Sequence, residues 1–318
     1  MNEIGGRWVG RLRDAAIALT LTLGLVGCSV IPFPTLVDLS EEQVNELANQ
    51  QAPQLTQEFG GEIGASDVKA YVQARGLELA AVSERPELPW SFKVLNNDAV
   101  NAFALPGGHV FITRGLLVQL ENEAELMGVL GHEIGHVTLD HGEKRMEKAA
   151  TAQLGVQAVA TILAGTQDDD TVTLLGAYGA QLGLQMVQLQ HSRQDESDAD
   201  AKGAFYSAEL GYSPAGIIGV LEVLASLSQG GTPEILKTHP NPEKRIQDVL
   251  VLLDANYPDW EAAQGPYHRF DPDRYRRNVL QPLAAMPAAP DVALVIPDGH
   301  LGLFAPIPGR EGACGCGH

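Results

Sequence analysis

Residues 132–136 read His132-Glu133-Ile134-Gly135-His136, two histidines four apart with a glutamate one step past the first. Four residues carry a helix about one turn along the same face, so both imidazoles can hold one ion. Glu133 then stands beside the ion's open position, where a carboxylate can take a proton from water. That is the layout of a zinc hydrolase. Around it, Leu126, Val129, Leu130, Ile134 and Val137 recur at helical spacing within Glu121–Arg145. Glu121, Glu123 and Glu125 open the stretch and Lys144 and Arg145 close it, an order that suits the helix dipole and predicts a helix over 121–145.

A third ligand sets the subclass. A metzincin needs H-E-x-x-H-x-x-G-x-x-H, but Leu139 stands in place of the glycine and Gly142 in place of the last histidine, which excludes that class. His141, five residues past His136, is turned about 140° from the ligand face of a helix and is expected beside the site or at the surface. Some sixty residues on, within Arg193–Gly203, Glu196 and Asp200 lie four apart. On a helix they share a face, so one can ligate while the other accepts a hydrogen bond from a ligand histidine. Asp195 and His191 are the next ligand choices.

The elements that must position these groups are readable in outline. Ser40 with Gln43 forms a capping box that opens a helix to about Gln51. Ser66–Glu84 reads as a second helix, with Leu77, Leu79 and Val82 among its apolar positions. Strands are expected at Ser91–Leu95, Ala102–Leu105 and His109–Thr113, the last following a Pro-Gly-Gly turn. As an edge strand, His109, Val110, Phe111 and Ile112 would hold an extended substrate through main-chain bonds, with Asn101 a further substrate contact. Two charge-free stretches, Ala149–Gln167 and Thr171–His191, resemble a helical hairpin, and their Gln and Thr content argues against a bilayer span.

Taken in chain order, five stretches resemble the gluzincin peptidase family that includes the CAAX prenyl proteases, the HtpX-type membrane proteases and bacterial periplasmic quality-control proteases. They are Asn101-Ala102-Phe103-Ala104-Leu105-Pro106-Gly107-Gly108, the following Gly115-Leu116-Leu117, Gly131–Val137 with His141-Gly142, Arg193–Gly203, and Thr238-His239-Pro240 with Arg245. The resemblance implies an α+β, mainly helical fold with a zincin-like catalytic domain, and one zinc per chain. It implies His132, His136 and Glu196 as zinc ligands, Glu133 as general base and Asp200 as the group that orients a ligand. By the same likeness His239 faces the metal from a loop, as oxyanion stabiliser or as a resting cap on the zinc, and Arg245 supports the site.

An address precedes the catalytic region. Arg7, Arg11 and Arg13 lead into an apolar stretch, Ala15–Gly24, too short for a comfortable span, followed by Leu25-Val26-Gly27-Cys28. Residues 1–27 thus read as an export signal and Cys28 as a lipidated N-terminus on a 28–39 tether; Ser29 after it favours the outer membrane. The catalytic domain is expected over 40–255. Residues 256–318 hold nine of the chain's nineteen prolines and end in Cys314-Gly315-Cys316-Gly317-His318, which reads as an ordered wrap and a flexible tail. A formal charge of −19 excludes nucleic-acid binding through phosphates, and three cysteines exclude a disulfide framework. The expected partners are unfolded or misassembled envelope proteins, cleaved by an endopeptidase or, in a rival reading, held by an assembly factor. The membrane is the other partner, through the N-terminal lipid.

Overall fold

A computed structural model describes residues 40–145, 147, 190–228, 233–262, 265–290, 294–295 and 301–302. The expected signal peptide, Cys28, the tether and the cysteine tail lie outside them, as does the expected hairpin apart from Gln190 and His191, neither of which is helical.

Helix α1, Glu41–Glu58, opens with the capping box between Ser40 and Gln43 and runs on through Pro53. Helix α2 spans Ser66–Ala81. Leu77 of α2 is exposed, unlike the buried Val68, Val72 and Leu79, so it does not serve the core as its apolar character suggested. Strands β1 (Ser91–Leu95), β2 (Ala102–Leu105) and β3 (His109–Thr113) form one sheet in the order β1-β3-β2. β3 is central: it pairs in parallel with β1, Phe92 opposite Val110, and antiparallel with β2, Phe103 opposite Phe111.

Side chains alternate across the pleat. Val110 and Ile112 of β3 enter the main core with Phe92, Val94 and Ala102, while Phe111 turns to the other face with Phe103 and Leu105, under Val44, Ala48 and Leu55 of α1. With both edges paired and both faces covered, β3 cannot be the expected substrate strand. Its ring His109 is engaged as well, Nδ1 at 2.9 Å from Ser91 Oγ and Nε2 at 2.7 Å from Asn49 Oδ1 of α1. The edges of the sheet are β2 and β1, and on β1 the Ile63 N–H donates to Val94 O at 3.0 Å.

A single turn, α3 (Arg114–Leu117), leads to α4, Glu123–Thr138, capped by Asn122 Oδ1, which accepts the Glu125 N–H at 3.1 Å. The predicted helix over 121–145 is therefore interrupted, because Asp140 takes a left-handed φ of 57° and turns the chain before residues 141–145 become helical again. Helix α5, Arg193–Glu209, starts with a Ser192/Asp195 capping box. It lies across α4 so closely that a Cβ on Gly131 would meet Gly203 Cα at 3.0 Å. Helices α6 (Gly216–Ser228), α7 (Glu234–Thr238) and α8 (Pro242–Asn256) complete the helical layer. A last helical run, Pro272–Tyr275 continuing to Ala284, sends Tyr275, Val279 and Leu283 into the same core. Tyr275 Oη donates to Leu117 O at 2.7 Å, which fastens this run to α3.

Candidate metal centre

His132 and His136 project from one face of α4, and their Nε2 atoms stand 3.0 Å apart. Because α5 approaches at the glycine contact, Glu196 reaches the same point. Its Oε1 lies 3.5 Å from His136 Nε2 and its Oε2 lies 3.7 Å from His132 Nε2. His239, at the C-terminal end of α7, adds Nδ1 at 3.3 Å from His132 Nε2 and 2.9 Å from Glu196 Oε1. All four residues are buried. A tetrahedral ion with bonds of about 2.0–2.1 Å separates its ligand atoms by about 3.3 Å, so this spacing fits zinc, and three imidazoles with one carboxylate are borderline-soft donors that suit it. The donor set and its packing thus fit the implied metal.

What orients these donors is equally visible. Asp200 lies one turn along α5 from Glu196, and its Oδ1 is 2.9 Å from His132 Nδ1. A proton held there leaves the Nε2 lone pair turned inward. Arg245, near the start of α8, donates twice to Asp200, Nε to Oδ2 at 2.8 Å and Nη2 to Oδ1 at 2.6 Å, while its Nη1 sits 2.5 Å from Glu196 Oε2. Burial alone would raise the Asp200 pKa, but the Arg245 guanidinium overrides it and holds the carboxylate below its ordinary range. Glu196 is likewise held far down, by His239 and Arg245 against the opposing effect of burial. His136 Nδ1 meets His141 Nδ1 at 2.8 Å. His141 thus reaches the site through the turn at Asp140 rather than by helical rotation.

A cleft opens beside the cluster. Its walls include Glu133 and His136 from α4, Phe103, Ala104 and Leu105 from β2, the Pro106-Gly107 turn, Arg145, His191 and the Thr238-His239 pair. Glu133 Oε1 lies 3.7 Å from His239 Nε2. Arg145, which reads from the sequence only as a helix-ending base, sits against this wall, where burial pushes its pKa down to about 10. His191 joins the cleft as well, its ring centroid 3.8 Å from that of His136. Asn101 does not line the cleft; its backbone is tied to Thr113 on β3.

The peptidase family M48 pattern matches residues 66–252, which takes in every element of this cluster. The chain belongs to that family. Among its M48 relatives, the β-barrel assembly-enhancing protease of Yersinia pestis is 33% identical over 200 residues, 62% of this chain and 41% of the relative. The metalloprotease YcaL of Escherichia coli is 30% identical over 66% of this chain and 80% of its own length. The metalloprotease LoiP of the same species is 27% identical over 77% and 98%. The chain thus spans about two fifths of the first of these and most of the other two. M48 membership and metalloprotease relatives support a zinc metalloendopeptidase. No helix among the described residues is long and apolar enough to cross a membrane.

Proposed function

We propose that the protein is a zinc-dependent endopeptidase of the bacterial envelope, held to the membrane by a lipid on Cys28, most simply at the periplasmic face of the outer membrane, and acting on misfolded or stalled proteins. The convergence of His132, His136 and Glu196 in one buried cluster, with Glu133 and His136 on the wall of the adjoining cleft, is the observation that carries this reading. Those three residues would hold one zinc, which when bound polarises a peptide carbonyl and acidifies water. Glu133 takes the proton from the attacking water and returns it to the leaving amine. Asp200 fixes the tautomer of His132, and Arg245 keeps Asp200 and Glu196 charged and aimed.

Substrate enters along β2. Its pairing with β3 leaves one edge beside the cleft, and a peptide laid there in extended form would be held by main-chain bonds with little sequence preference. Loose preference suits clients recognised by being unfolded. Relatives named for β-barrel assembly support an envelope client.

Comparison of wild type with Glu133→Gln on unfolded casein tests the reading. Cleavage should vanish while zinc content stays near one per chain, because Glu133 is the base and not a ligand. A variant that digests casein at the wild-type rate removes the mechanism. A wild type that binds casein without cutting it leaves the rival assembly-factor reading.

A further inference from the structure

His191 is the buried polar group of the cleft to which the mechanism above gives no task. It is 6% exposed, it lines the same wall as Glu133 and β2, and its Nδ1 has no hydrogen-bond partner among the described residues. Buried polar atoms are nearly always satisfied, so an orphan beside a reaction centre calls for a partner that arrives later. The residue is also held in place. Its backbone N–H donates to Thr238 O at 2.9 Å, which ties it to the loop carrying His239. Its ring packs against two others that are themselves 5.2 Å apart, 3.8 Å from His136 at 25° and 4.8 Å from His239 at 27°.

That stacking decides against the simplest alternative, a further ligand on the same ion. A metal lies in the plane of each imidazole that binds it, and rings stacked face to face direct their in-plane lone pairs past one another. His239 keeps its Nδ1 on Glu196 Oε1 at 2.9 Å within the ligand cluster, while its Nε2 lies 3.7 Å from Glu133 Oε1. His191 stands outside that ligand cluster, with a fixed ring and an Nδ1 that has no partner among the described residues.

We propose that His191 is a catalytic residue of this cleft, donating an imidazole N–H to the carbonyl oxygen of the bound peptide as negative charge develops there. The idea rests on the endopeptidase reading. No proton leaves His191; one hydrogen bond forms to the oxygen and strengthens as the carbonyl becomes tetrahedral. A neutral imidazole has one such N–H to give. A donor held by stacking and a backbone bond needs no reorganisation when the charge appears, which is what makes oxyanion donors effective.

Two variants separate this from a packing role. His191→Phe keeps a flat ring in the stack and removes both nitrogens, whereas His191→Asn restores an amide N–H near the place of Nδ1. On unfolded casein, His191→Phe should lower kcat by about 10²–10³-fold with KM little changed, and His191→Asn should recover much of that loss. Zinc content should stay near one per chain in both. A phosphinic peptide, whose tetrahedral oxygens imitate the charged carbonyl, should bind His191→Phe about 10²-fold more weakly than wild type. Wild-type turnover by His191→Phe overturns the proposal, as does zinc loss in that variant or equal failure of both variants. If the wild type cleaves nothing yet its affinity for the phosphinic peptide still depends on His191, the endopeptidase reading fails while the assignment of His191 stands.

Discussion

At the start of α4, Glu123 is fully buried and accepts hydrogen bonds from Tyr71 Oη at 2.6 Å and Arg75 Nη1 at 3.0 Å, with Arg274 Nη1 3.6 Å from its other oxygen. Toward the far end of the same helix, Asp200 and Glu196 are gripped by Arg245 and in turn face His132 and His136. Both are buried guanidinium–carboxylate groups, yet their free valences differ. Every strong bond around Glu123 runs to another fastener: Arg75 also reaches Tyr212 Oη, which accepts from Arg269. Around Arg245 the carboxylates point onward to imidazoles whose inner nitrogens converge. One group closes the fold, and the other holds like charges together until a cation can share them.

The largest effect should follow from breaking the fastener. Arg75→Met leaves Glu123 buried with part of its pairing gone and should cost about 3–5 kcal/mol in urea unfolding, while the zinc affinity of the folded protein stays unchanged. A fall in zinc affinity of the folded form would join the two clusters into one. Next in size, Asp200→Ala frees the ring of His132 and should weaken zinc about 10–100-fold in competition with a chelator. Unaltered affinity would reduce Arg245–Asp200 to a second fastener.

The smallest effect sharpens the comparison, since neither guanidinium titrates near neutrality. Burial, then Lys93, holds the His109 pKa below 6.5. As pH falls below about 6.5 the unfolded chain therefore takes up a proton that the folded chain refuses, and stability is lost until the folded pKa is reached. His109→Gln, compared with wild type between pH 7 and pH 5, should show a shallower decline in urea midpoint. Equal slopes would place the acid sensitivity elsewhere.

Much of the site was legible because its parts are local. The four-residue spacings of His132/His136 and Glu196/Asp200 are properties of a helix, and the three strands carry their own alternation and turns. What failed depended on partners. Nothing within His109–Thr113 tells whether β1 and β2 flank it, so a central strand passed for an edge. The break after Thr138 was hidden because Leu126–Val137 keeps its apolar period up to the left-handed turn at Asp140, and helix resumes over 141–145. His191 reads from the sequence only as a fallback ligand, since a histidine ahead of a helix cap has no signal of its own. Its meaning comes from the rings of His136 and His239, 55 and 48 residues away in the chain.

The C-terminal wrap has a temporal consequence. Glu123 N–H, the first amide of the catalytic helix, donates to Phe270 O at 2.9 Å, and the Leu117 carbonyl waits for Tyr275. A ribosome delivers the histidine pair well over a hundred residues before it delivers these partners. A nascent chain therefore holds this histidine pair through well over a hundred residues of synthesis before Phe270 and Tyr275 arrive to complete the fastening of the helix that bears Glu133.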